Sequence, residues 1–120
     1  MPRLTEIAFG AARPVEGYGP GFFRVGGAVI EGAVLVSARE ARSWAGYDEA
    51  GAILALDIDV LILGTGGSIA HPPAAFRAAV EAAGIGLEVT DSATAARLYN
   101  LLLAEGRRVA AALLPVGTGA

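Results

Sequence analysis

The run Val60-Leu61-Ile62-Leu63 sets four large aliphatic residues in succession with no polar residue alternating among them, and it stops at Gly64. A strand patterned this way is buried on both faces, so it predicts a central parallel strand rather than a sheet edge. The stretch Gly64-Thr65-Gly66-Gly67-Ser68 then turns the chain, since glycine reaches positive φ without a Cβ clash. Upstream, Phe22-Phe23-Arg24-Val25 and Ala28-Val29-Ile30 flank Gly26-Gly27, the two-residue spacing of a tight hairpin. Glu31-Gly32 reads as a bulge or second turn, and Ala33 to Val36 as a further strand ending at Ser37.

Capping residues mark the helices. Ser37 predicts a short helix through Ala38 to Trp44, closed by Gly46, and Asp48 a second one carrying Ile53, Leu54 and Leu56. Pro72 and Pro73 suit a first helical turn; that helix runs to about Ala83 with Phe76, Ala79, Val80 and Ala83 on one face and an Arg77–Glu81 pair beside it. Ile85 to Thr90 is the next strand. Asp91-Ser92 caps a long helix, Ala93 to Glu105, closed by Gly106, and Val109 to Leu114 is a last strand ended by Pro115. The pattern is α/β. Residues 1–17 form a loosely structured lead-in with an edge strand near Ile7 to Phe9, residues 18–116 a single domain, and residues 117–120 a tail.

Composition narrows the function classes. The chain has 120 residues, 54% of them hydrophobic, enough for one domain with a core of its own. No apolar run reaches the roughly 18 residues a membrane span needs, and Met1 to Glu6 lack the pattern of a secretion signal. A cytoplasmic protein with no direct membrane insertion is expected. There is no cysteine, which removes disulfides, thiolate nucleophiles and sulfur-built zinc sites. Every basic residue is arginine and the net charge is −3, so no broad basic surface for nucleic acid is expected. With His71 alone, neither a metal centre nor a Ser-His-Asp triad can be assembled.

Two stretches carry candidate chemistry. The turn at Gly64, Thr65, Gly66, Gly67 and Ser68 stands where strand-to-helix amides favour anions. It has no lysine of a P-loop, and Ile69 stands where a dinucleotide fingerprint needs glycine. Asp91, at the end of the next strand, is placed where a ribose-binding acid is expected; the turn is otherwise a packed structural turn. Thr65 and Ser68 have no activating base in sequence, and Asp57, Asp59 and Glu88 read as strand-end acids. His71 reads as a solvent-facing or capping residue. The last helix carries Leu98, Leu101 and Leu102 on one face and Ala96, Tyr99 and Leu103 on a second, so it is apolar almost all round and is either buried or a contact surface. Arg97, Asn100 and Glu105 can converge on one polar spot. Alternatively, Arg97 pairs with an acid such as Asp91 and Asn100 satisfies nearby backbone.

The segment from Asp91 to Pro115 resembles the proteins grouped with the mitochondrial NADH dehydrogenase (complex I) assembly factor 3, a domain-of-unknown-function family that also includes the adipogenesis-associated Mth-type domain protein. Tyr18-Gly19-Pro20-Gly21-Phe22, Trp44 and Leu63-Gly64-Thr65-Gly66 match in the same order, so the resemblance spans nearly the whole predicted domain. It implies a compact three-layer fold with a mixed central sheet, an N-terminal antiparallel hairpin and helices on both faces. It implies an accessory role, with no cofactor and no agreed catalytic residues to carry over. Relatives often have cysteine where this chain has Ala96, so no thiol chemistry operates there. The glycine turn with Arg97, Tyr99, Asn100 and Glu105 remains the candidate shared site. Two functions follow: a non-enzymatic protein that binds another protein and assists assembly of a membrane respiratory complex, or a small-molecule or nucleotide-binding protein using the turn. A homodimer through an edge strand or the last helix is compatible with either.

Overall fold

In the computed structural model, which describes residues 13–117, the elements run β1 (Val15–Gly19), β2 (Phe22–Val25), β3 (Ala28–Glu31), β4 (Val34–Ser37), β5 (Ala41–Ser43), a 3-10 turn (Tyr47–Glu49), α1 (Ala50–Leu54), β6 (Val60–Gly64), α2 (Ala74–Ala82), β7 (Gly86–Thr90), α3 (Ser92–Ala104) and β8 (Val109–Leu113). The first three strands form an antiparallel sheet. The other five form a mixed sheet in the order β5-β4-β8-β6-β7, with β6 parallel to both β7 and β8 and β4 antiparallel to β5 and β8. The aliphatic run is therefore a central parallel strand, as its unbroken hydrophobicity requires.

Side-chain alternation sorts the sheet's two faces. Val34, Val36, Ile62, Val109, Ala111 and Leu113 point to one core, where α3 supplies Ala95, Ala96 and Tyr99 and the small sheet supplies Val15, Phe23 and Val25. Leu35, Leu61, Leu63, Ala110 and Ala112 point to the other, where they meet Ile53, Phe76 and Val80 of α1 and α2. The result is three layers. Alanines in β8 let both covering layers approach closely. Trp44, Tyr47 and Phe76 close the second core with edge-on and tilted rings, their centroids 5.0–6.0 Å apart, geometry that aromatic quadrupoles favour.

Turn chemistry accounts for the hairpin. Gly26 and Gly27 have φ of 58° and 82°, positive at both central positions, as this two-residue turn requires. Order begins earlier than Tyr18, because β1 starts at Val15 and α3 holds its backbone, as described below. The strand expected near Ile7 to Phe9 and most of the tail lie outside the described residues.

Two predicted elements are corrected. Ala38 to Trp44 is not a helix: Ala41–Ser43 pairs with Val34–Val36 as a short edge strand, and Trp44 N–H continues the ladder to Ala33 O at 2.9 Å. Pairing along a strand already anchored in the sheet outweighs the helix propensity of Ala, Arg and Glu, a weak preference per residue. Ser37 does accept an amide, that of Arg39 at 3.3 Å, but within a hairpin turn. Asp48 does not cap α1; Glu49 occupies that position without a side-chain cap. Its carboxylate instead accepts from Ala45 N–H and from Arg42, which together hold it below the ordinary glutamate pKa.

Candidate functional site

The glycine turn lies at the carboxyl end of β6, and the start of α3 fills it. Gly64 is buried, and a Cβ there would stand 2.7 Å from both Cα and Oγ of Ser92 and 2.9 Å from Leu113 Cδ2. Ser92 Oγ accepts from Gly66 N–H at 2.9 Å and donates to Leu114 O at 2.7 Å, while its own amide donates to Gly66 O at 2.8 Å. Gly66 takes φ of +95°, open to glycine at little cost. Thr65 Oγ1 donates to Ser68 O and accepts from Ala70 N–H. Gly67 and Ser68 are exposed on the rim. The amide that would cradle an anion is thus bound to a serine 26 residues further on, and α2 starts eight residues beyond Gly66.

Asp91 is the N-cap of α3 and accepts from Thr94 N–H at 3.0 Å. Its bonds from Thr94 hold the carboxyl below its ordinary value of 3.8. The ionised form is favoured by folding, so the cap's stabilisation is present above that value and is lost as pH falls through the lower folded one. Asp91→Ala is expected to cost about 1 kcal/mol near pH 7 and progressively less as pH falls below 3.8, where wild type loses the same contribution. Urea midpoints of both proteins across that range check it.

The four candidates on and just after α3 make separate contacts. Tyr99 is fully buried and donates to Arg13 O at 2.8 Å; burial pushes its phenol above the ordinary range. Asn100 accepts from Val15 N–H and donates to Val15 O, both at 2.8 Å, replacing a missing neighbour strand for β1. Arg97 is exposed and donates to Thr94 Oγ1 at 3.4 Å, not to Asp91. Glu105 is the exposed C-cap. Asn100→Ala strands both Val15 groups and is expected to cost about 2 kcal/mol, with hydrogen exchange at Val15 accelerating more than in β8.

Two hollows lie toward the opposite end of the large sheet. The pairs Ser37↔Ala110 and Val60↔Val109 bring the end of β4 beside the starts of β6 and β8. There a groove of about 380 Å³ runs between the β4–β5 turn, the Leu56–Ile58 segment and the loop after α3, with Arg39, Arg107 and Arg108 among its walls. A second hollow of about 300 Å³ shares Arg39 and reaches Arg13. Arg108 is held by Asp59 at 2.6 Å and Asp57 at 2.7 Å; its bonds keep Asp59 ionised to below the usual range. Arg39 and Arg107 form no ion pair among the described residues. Sequence reasoning missed this end: 68 residues separate the two arginines, and only the sheet register joins them. The described residues hold no group of three or more potential metal-ligating side chains.

Comparison with known proteins places these features in a family. The profile of a family described as a protein of unknown function (DUF498/DUF598) matches residues 15–114. An uncharacterised protein of Rhodobacter capsulatus is 49% identical over 113 residues, covering 92% of this chain and 91% of its own. A crystal structure of a protein from Bartonella henselae, described as an outer membrane protein, superposes with a TM-score of 0.80 at 28% identity over 90% of this chain and 98% of that one. A solution structure from Bordetella pertussis, described as a Mth938-like domain, gives 0.72 at 29% identity over 88% and 87%.

Proposed function

Because the chain belongs to the DUF498/DUF598 family of proteins of unknown function, with the Mth938-like fold, we propose that it is a non-enzymatic accessory protein that binds another protein and assists assembly of a membrane respiratory complex. The finer part of this reading rests on the motifs that resemble the complex I assembly factor 3 group. The observation that carries the choice is the occupied turn: Ser92 takes up Gly66 N–H and the space beside Gly64, so the strand-end ligand site of the nucleotide-binding alternative is occupied by the protein itself. On α3 the face away from the core keeps Leu101 55% exposed, flanked in sequence by Arg97 and Glu105. An exposed apolar residue with a charged residue one turn away on either side suits a protein contact better than catalysis.

The test is removal of the gene in the organism that carries it, followed by native-gel quantification of the assembled NADH dehydrogenase and by NADH-driven quinone reduction in isolated membranes. Both are expected to fall and to return with the wild-type chain, and a folded Leu101→Glu variant is expected to restore them poorly. Unchanged complex in the deletion strain overturns the proposal. The proposal also places the protein in the cytoplasm, unlike the description of the Bartonella henselae relative. Recovery of the chain in an outer-membrane fraction would overturn that part. Among the described residues no helix is long and apolar enough to cross a membrane.

A further inference from the structure

We propose that the arginine-walled groove at the end of the large sheet away from the glycine turn binds a small amphipathic anion, a carboxylate or phosphate monoester carried on an apolar body. Its volume of about 380 Å³ lies within the range of small-molecule sites, roughly 300–1,000 Å³. The inference is independent of the accessory role, since it concerns a ligand of the isolated chain.

Charge selects the sign of the ligand. Arg108 bonds both Asp57 and Asp59, which fixes that wall and, with one guanidinium against two carboxylates, leaves it one negative charge in excess. Arg39 and Arg107 also line the groove and form no salt bridge among the described residues, although the charge of Arg107 is felt by Asp59; three arginines against Asp57 and Asp59 leave the local balance positive in a protein whose overall charge is −3. Guanidinium groups present paired donors that match carboxylate and phosphate oxygens. Ser37 adds a third polar group: it is 6% exposed, its oxygen accepts from Arg39 N–H, and its hydroxyl proton has no acceptor among the described residues.

The remaining wall selects the body of the ligand. Leu56, Ile58, Leu103 and Val109 line the same groove, so a bare inorganic anion leaves apolar surface wet while an alkyl chain covers it. The site is also built on rigid parts. Val109 and Ser37 stand in paired strands, and Arg107 N–H is bonded to Leu102 O at 3.0 Å, beyond Gly106 with φ of +80°. That helix end aims the chain, and Arg107 with it, back toward the sheet.

Isothermal titration calorimetry of the purified full chain at low ionic strength tests the assignment with four probes: octanoate, octyl phosphate, octanol and inorganic phosphate. Octanoate, octyl phosphate or both are expected to bind saturably, one molecule per chain, with octanol and inorganic phosphate each weaker by about tenfold or more. Which of the two anions binds more tightly distinguishes a carboxylate from a phosphate ligand. Arg39→Ala and Arg107→Ala are each expected to weaken binding about tenfold, Arg39→Lys and Arg107→Lys by less, and Arg97→Ala, outside the groove, not at all. Both groove arginines are exposed, and matching circular dichroism shows that their variants fold. Octanol binding as tightly as octanoate, affinity unchanged in the Arg39→Ala/Arg107→Ala pair, or no saturable binding of either anion overturns the proposal. So does saturable binding of a glutamate-rich peptide with neither alkyl anion bound.

Discussion

Replacing Gly64 by valine is expected to destabilise the protein by about 3–4 kcal/mol, because the new side chain has no space and breaks buried hydrogen bonds as it pushes in. Even a methyl group would stand 2.7 Å from the Ser92 backbone, and Ser92 begins a helix that cannot retreat without lifting Ala95, Ala96 and Tyr99 from the core. Pushing Ser92 away also strands Gly66 N–H and Leu114 O, both bonded to its hydroxyl. For a chain of this size each kcal/mol corresponds to roughly 4 °C, so the melting temperature falls by about 12–16 °C. Gly67→Ala supplies the contrast: nothing lies within 4 Å of the added carbon, and the expected change is under about 0.5 kcal/mol. Thermal and urea unfolding of the two variants check the pair. Equal stability of Gly64→Val and wild type would show that the turn is looser than its contacts indicate.

Tyr99→Ala is expected to cost about 3–5 kcal/mol, the range for emptying a large aromatic from a core. The ring is fully buried among residues of the large sheet, α3 and the small sheet, so its loss opens a cavity between the large sheet and the elements that cover that face. Against a total of about 5–15 kcal/mol for a domain, such a loss brings the variant near unfolding at ambient temperature. Tyr99→Phe keeps the packing and loses only the bond to Arg13 O, about 1 kcal/mol. The two variants separate cavity from hydrogen bond. Tyr99 also imposes an alkaline limit. Its folded pKa is raised above the ordinary 10.0 by burial, so its contribution is complete below pH 10 and is lost as pH rises toward the folded value. Tyr99→Phe is expected to flatten that loss without abolishing it, because burial raises Tyr47 as well.

What the sequence disclosed depended on how far apart in the chain the deciding contacts lie. Val60 to Leu63 could be read as a central strand, since burial on both faces leaves its mark within the run itself. Asp91 could be read as a cap because the amide it serves, that of Thr94, is three residues away. Ala38 to Trp44 could not be read correctly: its local preference is helical, and the partner that makes it a strand is β4. The candidate site divides along the same line. That the glycine turn bends sharply was legible, but Ser92, which fills it, sits 26 residues on. Asn100 was open to two readings until Val15, 85 residues away, appeared beside it. The pairing of Arg39 with Arg107 across one groove had no local signal at all.

The placement of β8 bears on how the chain matures. It is the last of the described strands in sequence, yet it lies between β4 and β6 and is bonded to both. During synthesis, then, every chain shorter than about Val109 has two strands of its future sheet with bare inner edges, and β6 among them is almost wholly aliphatic. Unpaired edges of that kind invite pairing with other chains. The sheet closes in a late step, when β8 enters the gap and joins segments made at very different times, a topology that slows folding. A nascent chain of this protein therefore gains most from a chaperone in the interval before β8 is released.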